Sequence, residues 1–307
     1  MIGRAHDDVG NGRAPLARRR GPMLDTSPRR CASLALAALL CSCARAPTPT
    51  ISPEPSSERH EIANGDAILA AHGLPHGTFV LRTAGQPDRV LDPALARTPY
   101  LPASTFKIAN TLIGLETGVI PDASFSLPWD GQERGMPDWN RDHTLASAME
   151  VSAVWWYQEV ARRIGIERMR EWVARLGYGN GAIGEDAELD TFWLNGPLRI
   201  TALQQVDFVQ RLTSGALPVS ARSASILRDV MPSRTRGASV VRAKTGTATD
   251  DVEGHAWLVG WVEREGVADA WFALLVPFPG AAHMPSREAR WDVVMDLLAH
   301  EGVIPSE

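Results

Sequence analysis

Apolar residues recur along this chain with two periods, and the switch between them lays out the fold. Residues 76–83, centred on Phe79-Val80-Leu81, and residues 240–244, 255–263 and 270–278 are dense in Val, Leu, Trp and Phe, with Gly and acidic turns between the last three. That composition and punctuation predict four strands. In residues 286–300, Trp291, Val294, Met295 and Leu298 fall three or four apart or side by side, which predicts a helix with one buried face. Between these ends, residues 104–117, 144–164, 167–176 and 201–214 carry helical spacing. Strands at both ends with helices inserted between them predict an α+β domain, a sheet flanked by helices with a helical lobe beside it.

Composition supports a soluble core: of 307 residues, 44% are hydrophobic and 22% charged, which excludes a disordered chain and a polytopic membrane protein. The net charge of -5 offers no basic surface, so no nucleic-acid partner is expected. Charge is uneven, however, since residues 1–30 hold seven Arg against three acidic residues. Arg29-Arg30 is followed by an uncharged run, residues 32–40, and then by Leu40-Cys41-Ser42-Cys43. This has the form of an export signal, too short to span a bilayer, which takes about 20 apolar residues. Leu40 to Cys43 also resembles a bacterial lipobox with Cys43 as the lipidated residue; a plain secretory signal cut nearby is the alternative. Met23 would begin a leader of more usual length. The expected organisation is a signal over residues 1–43, a Pro/Ser/Thr-rich tether over 44–60 and one domain over 61–307. The expected location is the periplasm, with attachment to the outer membrane if Cys43 carries lipid. Cys31, Cys41 and Cys43 are the only cysteines, so the domain has no thiol for a disulfide, a zinc ion or nucleophilic attack.

The basic residues are more telling. Of 31, only Lys107 and Lys244 are Lys; the rest are Arg. The two serve alike on a surface, but only Lys sheds its proton to act as base or nucleophile. Two lysines in a chain otherwise committed to Arg mark positions where Arg fails, unless both are chance survivors. Lys107 closes Pro102-Ala103-Ser104-Thr105-Phe106-Lys107, three residues after Ser104 at the start of a predicted helix, so the two share a face. The apolar run that follows predicts burial, which disfavours the ammonium form, and Ser beside a neutral amine is an activated nucleophile. A surface Ser-x-x-Lys arising by chance is the alternative. Lys244-Thr245-Gly246-Thr247 ends a predicted strand, where a hydroxyl and an open backbone suit a carboxylate and a developing oxyanion. The eight histidines form no H-x-H or H-E-x-x-H pattern, and Gly73 and Pro75 break any helix aligning His72 with His76, so no metal is expected. Of the ten Trp, Trp155, Trp156, Trp257 and Trp261 lie on apolar segments and are expected in the core.

Ser-x-x-Lys together with Lys-Thr-Gly is a signature of serine β-lactamases and penicillin-binding proteins. With Ser152-Ala153-Val154, Tyr178-Gly179-Asn180 and Phe192-Trp193-Leu194 in order between them, the chain resembles the class D (oxacillinase-type) serine β-lactamases over roughly residues 75–304. The resemblance implies an antiparallel sheet flanked by terminal helices with an inserted helical lobe, and hydrolysis of the amide of β-lactam antibiotics. It implies that Ser104 attacks the lactam carbonyl while the backbone N–H groups of Ser104 and Thr247 hold the oxyanion. Lys107 would take up carbon dioxide and serve as a carbamate general base, with no other cofactor. Trp193 would donate to that carbamate and Val154 would wall its pocket. Ser152, assisted by Lys244, would relay a proton to the leaving nitrogen, and Thr245, Gly246, Thr247 and Arg287 would bind substrate, Thr245 and Arg287 through its carboxylate. Two positions depart from the pattern. Thr247 stands where many members carry an aromatic or other residue, and penicillin-sensing receptor domains share Lys-Thr-Gly-Thr; Gln204 stands where Glu is common. A sensor that acylates without turnover is the alternative function, followed by a cell-wall peptidase or transpeptidase.

Overall fold

The computed structural model describes residues 60–250 and 252–306; the expected leader with the three cysteines, and the expected tether up to residue 59, lie outside them. The strands are β1 (His60–Glu61), β2 (Thr78–Thr83), β3 (Arg89–Leu91), β4 (Ser126–Leu127), β5 (His143–Thr144), β6 (Ser233–Arg236), β7 (Ser239–Thr249), β8 (Gly254–Arg264) and β9 (Val267–Phe278). The helices are α1 (Gly65–Ala71), α2 (Pro93–Ala96), α3 (Lys107–Glu116), α4 (Leu145–Glu150), α5 (Val154–Ile164), α6 (Ile166–Leu176), α7 (Ala202–Thr213), α8 (Ala221–Val230) and α9 (Arg287–His300). Seven strands form one sheet in the order β1-β3-β2-β9-β8-β7-β6, antiparallel except where β1 meets β3. β4 and β5 make a small separate ribbon.

Successive side chains of a strand point to opposite faces, and here both faces are buried. Phe79 and Leu81 of β2, Leu258 and Val262 of β8, and Phe272 and Leu274 of β9 pack with Leu69 of α1 and with Trp291, Val294 and Leu298 of α9. The intervening Val80, Trp257, Val259, Ala273 and Leu275 join Leu112 of α3, Val160 of α5, Val173 of α6 and Val209 of α7. Burial on two faces explains the nearly continuous apolar runs of β8 and β9. The expected α+β arrangement is thus present: terminal helices cover one face of the sheet, and the lobe inserted between β3 and β6 covers the other.

The helix expected over residues 144–164 is instead two helices. α4 stops at Glu150 and α5 starts at Val154 because Ser152 adopts a left-handed backbone, φ 59°, which a right-handed helix does not accommodate. Apolar spacing runs through the break, with Leu145, Ala148 and Met149 buried before it and Trp156, Tyr157 and Val160 after it, so periodicity hides it. Likewise the first turn of the helix expected from residue 104 is a 3-10 turn, Ala103–Phe106, and α3 proper begins at Lys107. Among the described residues no helix is long and apolar enough to cross a membrane.

Candidate active site

The turn Ala103–Phe106 packs against β7 and carries the predicted nucleophile. Its spacing puts Lys107 Nζ 2.6 Å from Ser104 Oγ. Ala103 just before it is left-handed, φ 49°, a conformation that costs a non-glycine residue about 1–2 kcal/mol and persists only where its surroundings fix it. They do. The Ala103 N–H donates to the Trp193 carbonyl at 2.9 Å, and the Leu101 carbonyl accepts from His255 Nε2 at 2.8 Å and Trp257 Nε1 at 2.9 Å. Gln205 Nε2 donates to Thr105 Oγ1 at 2.8 Å, and that hydroxyl donates to the Pro102 carbonyl at 2.7 Å.

Lys107 is fully buried, and burial pushes its amine down to about 7. Half of it is then neutral near pH 7, able to accept the proton of the Ser104 hydroxyl. Trp193 packs on the same turn, its ring stacked on Phe106 at 5.4 Å, and its buried indole Nε1–H has no hydrogen-bond partner among the described residues. Leaving such a donor unpaired costs about 1–3 kcal/mol. An amine that sheds its proton near pH 7 and an unpaired buried donor packed against the same turn fit carboxylation of Lys107, which would create an anionic acceptor there. Val154, half-buried, opens α5 two residues after Ser152.

The second lysine comes from the sheet. β6 pairs with β7 only over residues 239–242, so beyond that point β7 has β8 along one edge and the nucleophile turn near the other. Contact is close at Gly246, where a Cβ would meet the Pro102 carbonyl oxygen at 2.9 Å and the Thr105 nitrogen at 3.1 Å. Lys244 Nζ donates to Ser152 Oγ at 2.9 Å and to the Thr245 carbonyl at 3.0 Å, with Thr245 Oγ1 at 3.3 Å. Burial holds the Lys244 amine well below its ordinary range; Lys107, Arg287 and Arg290 push it the same way and Glu150 opposes them. The left-handed Ser152 is secured by the Ala153 N–H on the Ala148 carbonyl at 2.9 Å and by Trp139 Nε1 on the Val151 carbonyl at 2.9 Å.

The structure therefore brings Ser104, Lys107, Ser152, Lys244, Thr245, Gly246 and Thr247 together, and treats the arginine differently. Arg287, expected on the substrate carboxylate, donates to the Glu150 carbonyl at 2.9 Å and the Glu150 carboxylate at 2.8 Å. It is Arg290, one turn on, that lies on the Lys-Thr-Gly strand, donating to the Gly246 carbonyl at 2.9 Å, Thr247 Oγ1 at 3.0 Å and the Trp257 carbonyl at 3.3 Å. Ser286 caps α9 through the Ala289 N–H and so fixes which face of the helix meets the sheet. The i, i+3 spacing of the two arginines was the available signal for Arg290. Sequence reasoning also missed Gln205. Tyr178-Gly179-Asn180 proves to be a brace: Gly179, φ 56°, leaves no room for a Cβ against the Arg199 carbonyl. Asn180 meanwhile ties its N–H to the Arg199 carbonyl at 2.9 Å and its Nδ2 to the Pro197 carbonyl at 3.1 Å, steadying the loop after Trp193. A cavity of about 720 Å³ opens beside this loop, lined by Tyr100, Leu194, Arg199, Glu253 and His255 among others. No cluster of three or more metal-ligating side chains occurs among the described residues.

A turn-borne serine facing a buried lysine, with a Lys-Thr-Gly strand behind it, defines a penicillin-interacting serine enzyme, and residues 68–295 match the penicillin binding protein transpeptidase domain. Beta-lactamase OXA-5 of Pseudomonas aeruginosa is 39% identical over 233 residues, 75% of this chain and 85% of that protein. Beta-lactamase OXA-48 of Klebsiella pneumoniae is 40% identical over 211 residues, 68% of this chain and 77% of that protein. The crystal structure of the class D β-lactamase YbXI from Nostoc superposes with a TM-score of 0.73 at 36% identity, covering 78% of this chain and 99% of that one. The chain belongs to the class D β-lactamase family.

Proposed function

We propose that this protein hydrolyses the amide of β-lactam antibiotics through an acyl-enzyme on Ser104. The observation that carries the reading is the 2.6 Å approach of Lys107 Nζ to Ser104 Oγ in a site where burial has removed the usual hold on the amine's proton. Ser104 Oγ bonds to the lactam carbonyl carbon as its proton passes to the lysine side. The backbone N–H groups of Ser104 and Thr247 receive the oxyanion. When the C–N bond breaks, Ser152, hydrogen-bonded to Lys244, delivers a proton to the leaving nitrogen. Water then attacks the ester carbonyl, the acid leaves, and the Ser104 hydroxyl is restored. Thr245 and Thr247, on either side of Gly246, offer hydroxyls, and Arg287 and Arg290 offer positive charge, for the substrate carboxylate.

Carbon dioxide bound to the Lys107 amine would supply a general base for both half-reactions, with Trp193 Nε1–H as its donor and Val154 at its wall. Mass spectrometry after penicillin treatment is expected to find the adduct on the peptide containing Ser104 and none in Ser104→Ala; an adduct on Ser152 would overturn the assignment. Nitrocefin turnover beyond one equivalent is expected, whereas a single stoichiometric burst would mark a sensor. Export and lipidation of Cys43 complete the proposal: Ala44, following the cysteine, is not the Asp that retains lipoproteins in the inner membrane. Native protein found wholly in the soluble periplasmic fraction with a free N-terminus would refute the anchor.

A further inference from the structure

Two contacts tie the sheet side of the molecule to the break between α4 and α5. One is Lys244 on Ser152. The other is Arg287, the first residue of α9, on Glu150, the last residue of α4. Glu150 stands two residues before Ser152, and Arg287 stands one turn before Arg290, which holds Gly246 and Thr247. Both members of the pair act on the Lys244 amine, so they lie within electrostatic reach of the edge where a substrate carboxylate would bind. They are also open to solvent, with side chains 35% and 57% exposed.

Resting on the β-lactamase reading, we propose that Glu150 is an internal stand-in for the substrate carboxylate. It occupies Arg287 when the cleft is empty and yields it when an anionic β-lactam enters, which makes Glu150 a specificity-determining residue against anionic substrates. The exchange is chemically even: the guanidinium gives up one carboxylate and takes another. The second bond, from Nη1 to the Glu150 carbonyl, does not depend on the Glu150 side chain and keeps Arg287 at the end of α4, two residues from Ser152. An exposed ion pair restrains its partners by only about two- to fivefold, weak enough to be displaced by an arriving anion. Until it is displaced, Glu150 also places a negative charge where the substrate brings its own.

The test compares benzylpenicillin with its methyl ester, which has the same shape without the charge. In Glu150→Gln, kcat/KM for benzylpenicillin is expected to rise about two- to fivefold at low salt, while the value for the ester stays that of the parent. At ~1 M salt, where screening acts within about 3 Å, the gain is expected to vanish. Glu150→Ala is expected to behave like Glu150→Gln, and Arg287→Gln to lower kcat/KM for the acid alone; melting temperatures check that each variant is folded. Equal changes for acid and ester, or no change for either, would overturn the stand-in. Absence of any Ser104 adduct in the parent would instead overturn the β-lactamase reading, so the two failures are distinguishable.

Discussion

Replacing Trp193 by Phe removes the indole N–H together with part of the ring's volume, while an aromatic ring is kept against Phe106. In carbon-dioxide-free buffer the parent carries an unpaired buried donor costing about 1–3 kcal/mol. Phe removes that penalty and gives back a similar amount through lost volume, so the two proteins should melt within a few degrees of each other. Bicarbonate should separate them. A charge-assisted hydrogen bond is worth about 1.5–3 kcal/mol, so Trp193→Phe should bind carbon dioxide at Lys107 roughly 10- to 150-fold more weakly. Labelled bicarbonate followed by carbon-13 NMR reads this occupancy directly, with no reliance on turnover. The pH dependence has a fixed sign. The neutral amine adds carbon dioxide and the carbamate anion releases a proton. With the amine held near 7, affinity for carbon dioxide should fall about tenfold per unit as pH drops towards that point, and about a hundredfold per unit below it, where the ammonium must lose a proton too. Equal carbon dioxide affinity in parent and variant, or no carbamate resonance in the parent at pH 8, would refute the pairing of Trp193 with a carboxylated Lys107.

Lys107→Met should stabilise the protein in carbon-dioxide-free buffer. The folded amine lies near 7 against an ordinary 10.5, so the unfolded chain binds more protons between those values and parental stability rises with pH across that window. The penalty relieved at pH 7 is at most about 4 kcal/mol and fades towards pH 10, which thermal melts at both pH values will show; a parent more stable than the variant at pH 7 would contradict it. Gly246→Ala should lower kcat/KM at least tenfold with the fold intact by circular dichroism, because its Cβ would press on Pro102 and Thr105 beneath the nucleophile. Arg290→Ala should cost about 2–4 kcal/mol in urea unfolding, since it strands the Gly246 and Trp257 carbonyls, and should weaken penicillin far more than its ester.

The layers of the fold were legible because the long strands and amphipathic helices carry their periods over many residues. α1, α2, α8 and the short β1, β3 and β6 were not, since two to ten residues with few buried positions give period analysis little to count. The site was legible where chemistry forces a residue type, at Ser104, Lys107 and Lys244. It was illegible where geometry decides: Ser152 breaks a helix that spacing draws as continuous, and Arg290 rather than Arg287 meets the sheet because Ser286 sets the start of α9. Gln205 reaches Thr105 across 100 positions of sequence, a contact no local pattern announces.

The contrast between Lys107 and Arg290 explains why a chain with 29 arginines keeps two lysines. Both side chains are buried in this cleft, and burial lowers both. Arg290 drops only to about 10 and stays charged at neutral pH, a permanent cation suited to holding the backbone of the Lys-Thr-Gly strand and an anionic substrate. Lys107 drops to about 7, where its proton is exchangeable. An arginine at position 107 would remain protonated there, hydrogen-bond Ser104 as a donor and leave the hydroxyl proton with no acceptor. At position 244 the same substitution would fix another full charge beside Arg287 and Arg290, where the present amine is free to shed it. The chain thus uses Arg where charge must persist under burial and Lys where charge must change during the reaction. Burial, which makes these positions costly to the fold, is also what makes the lysine useful.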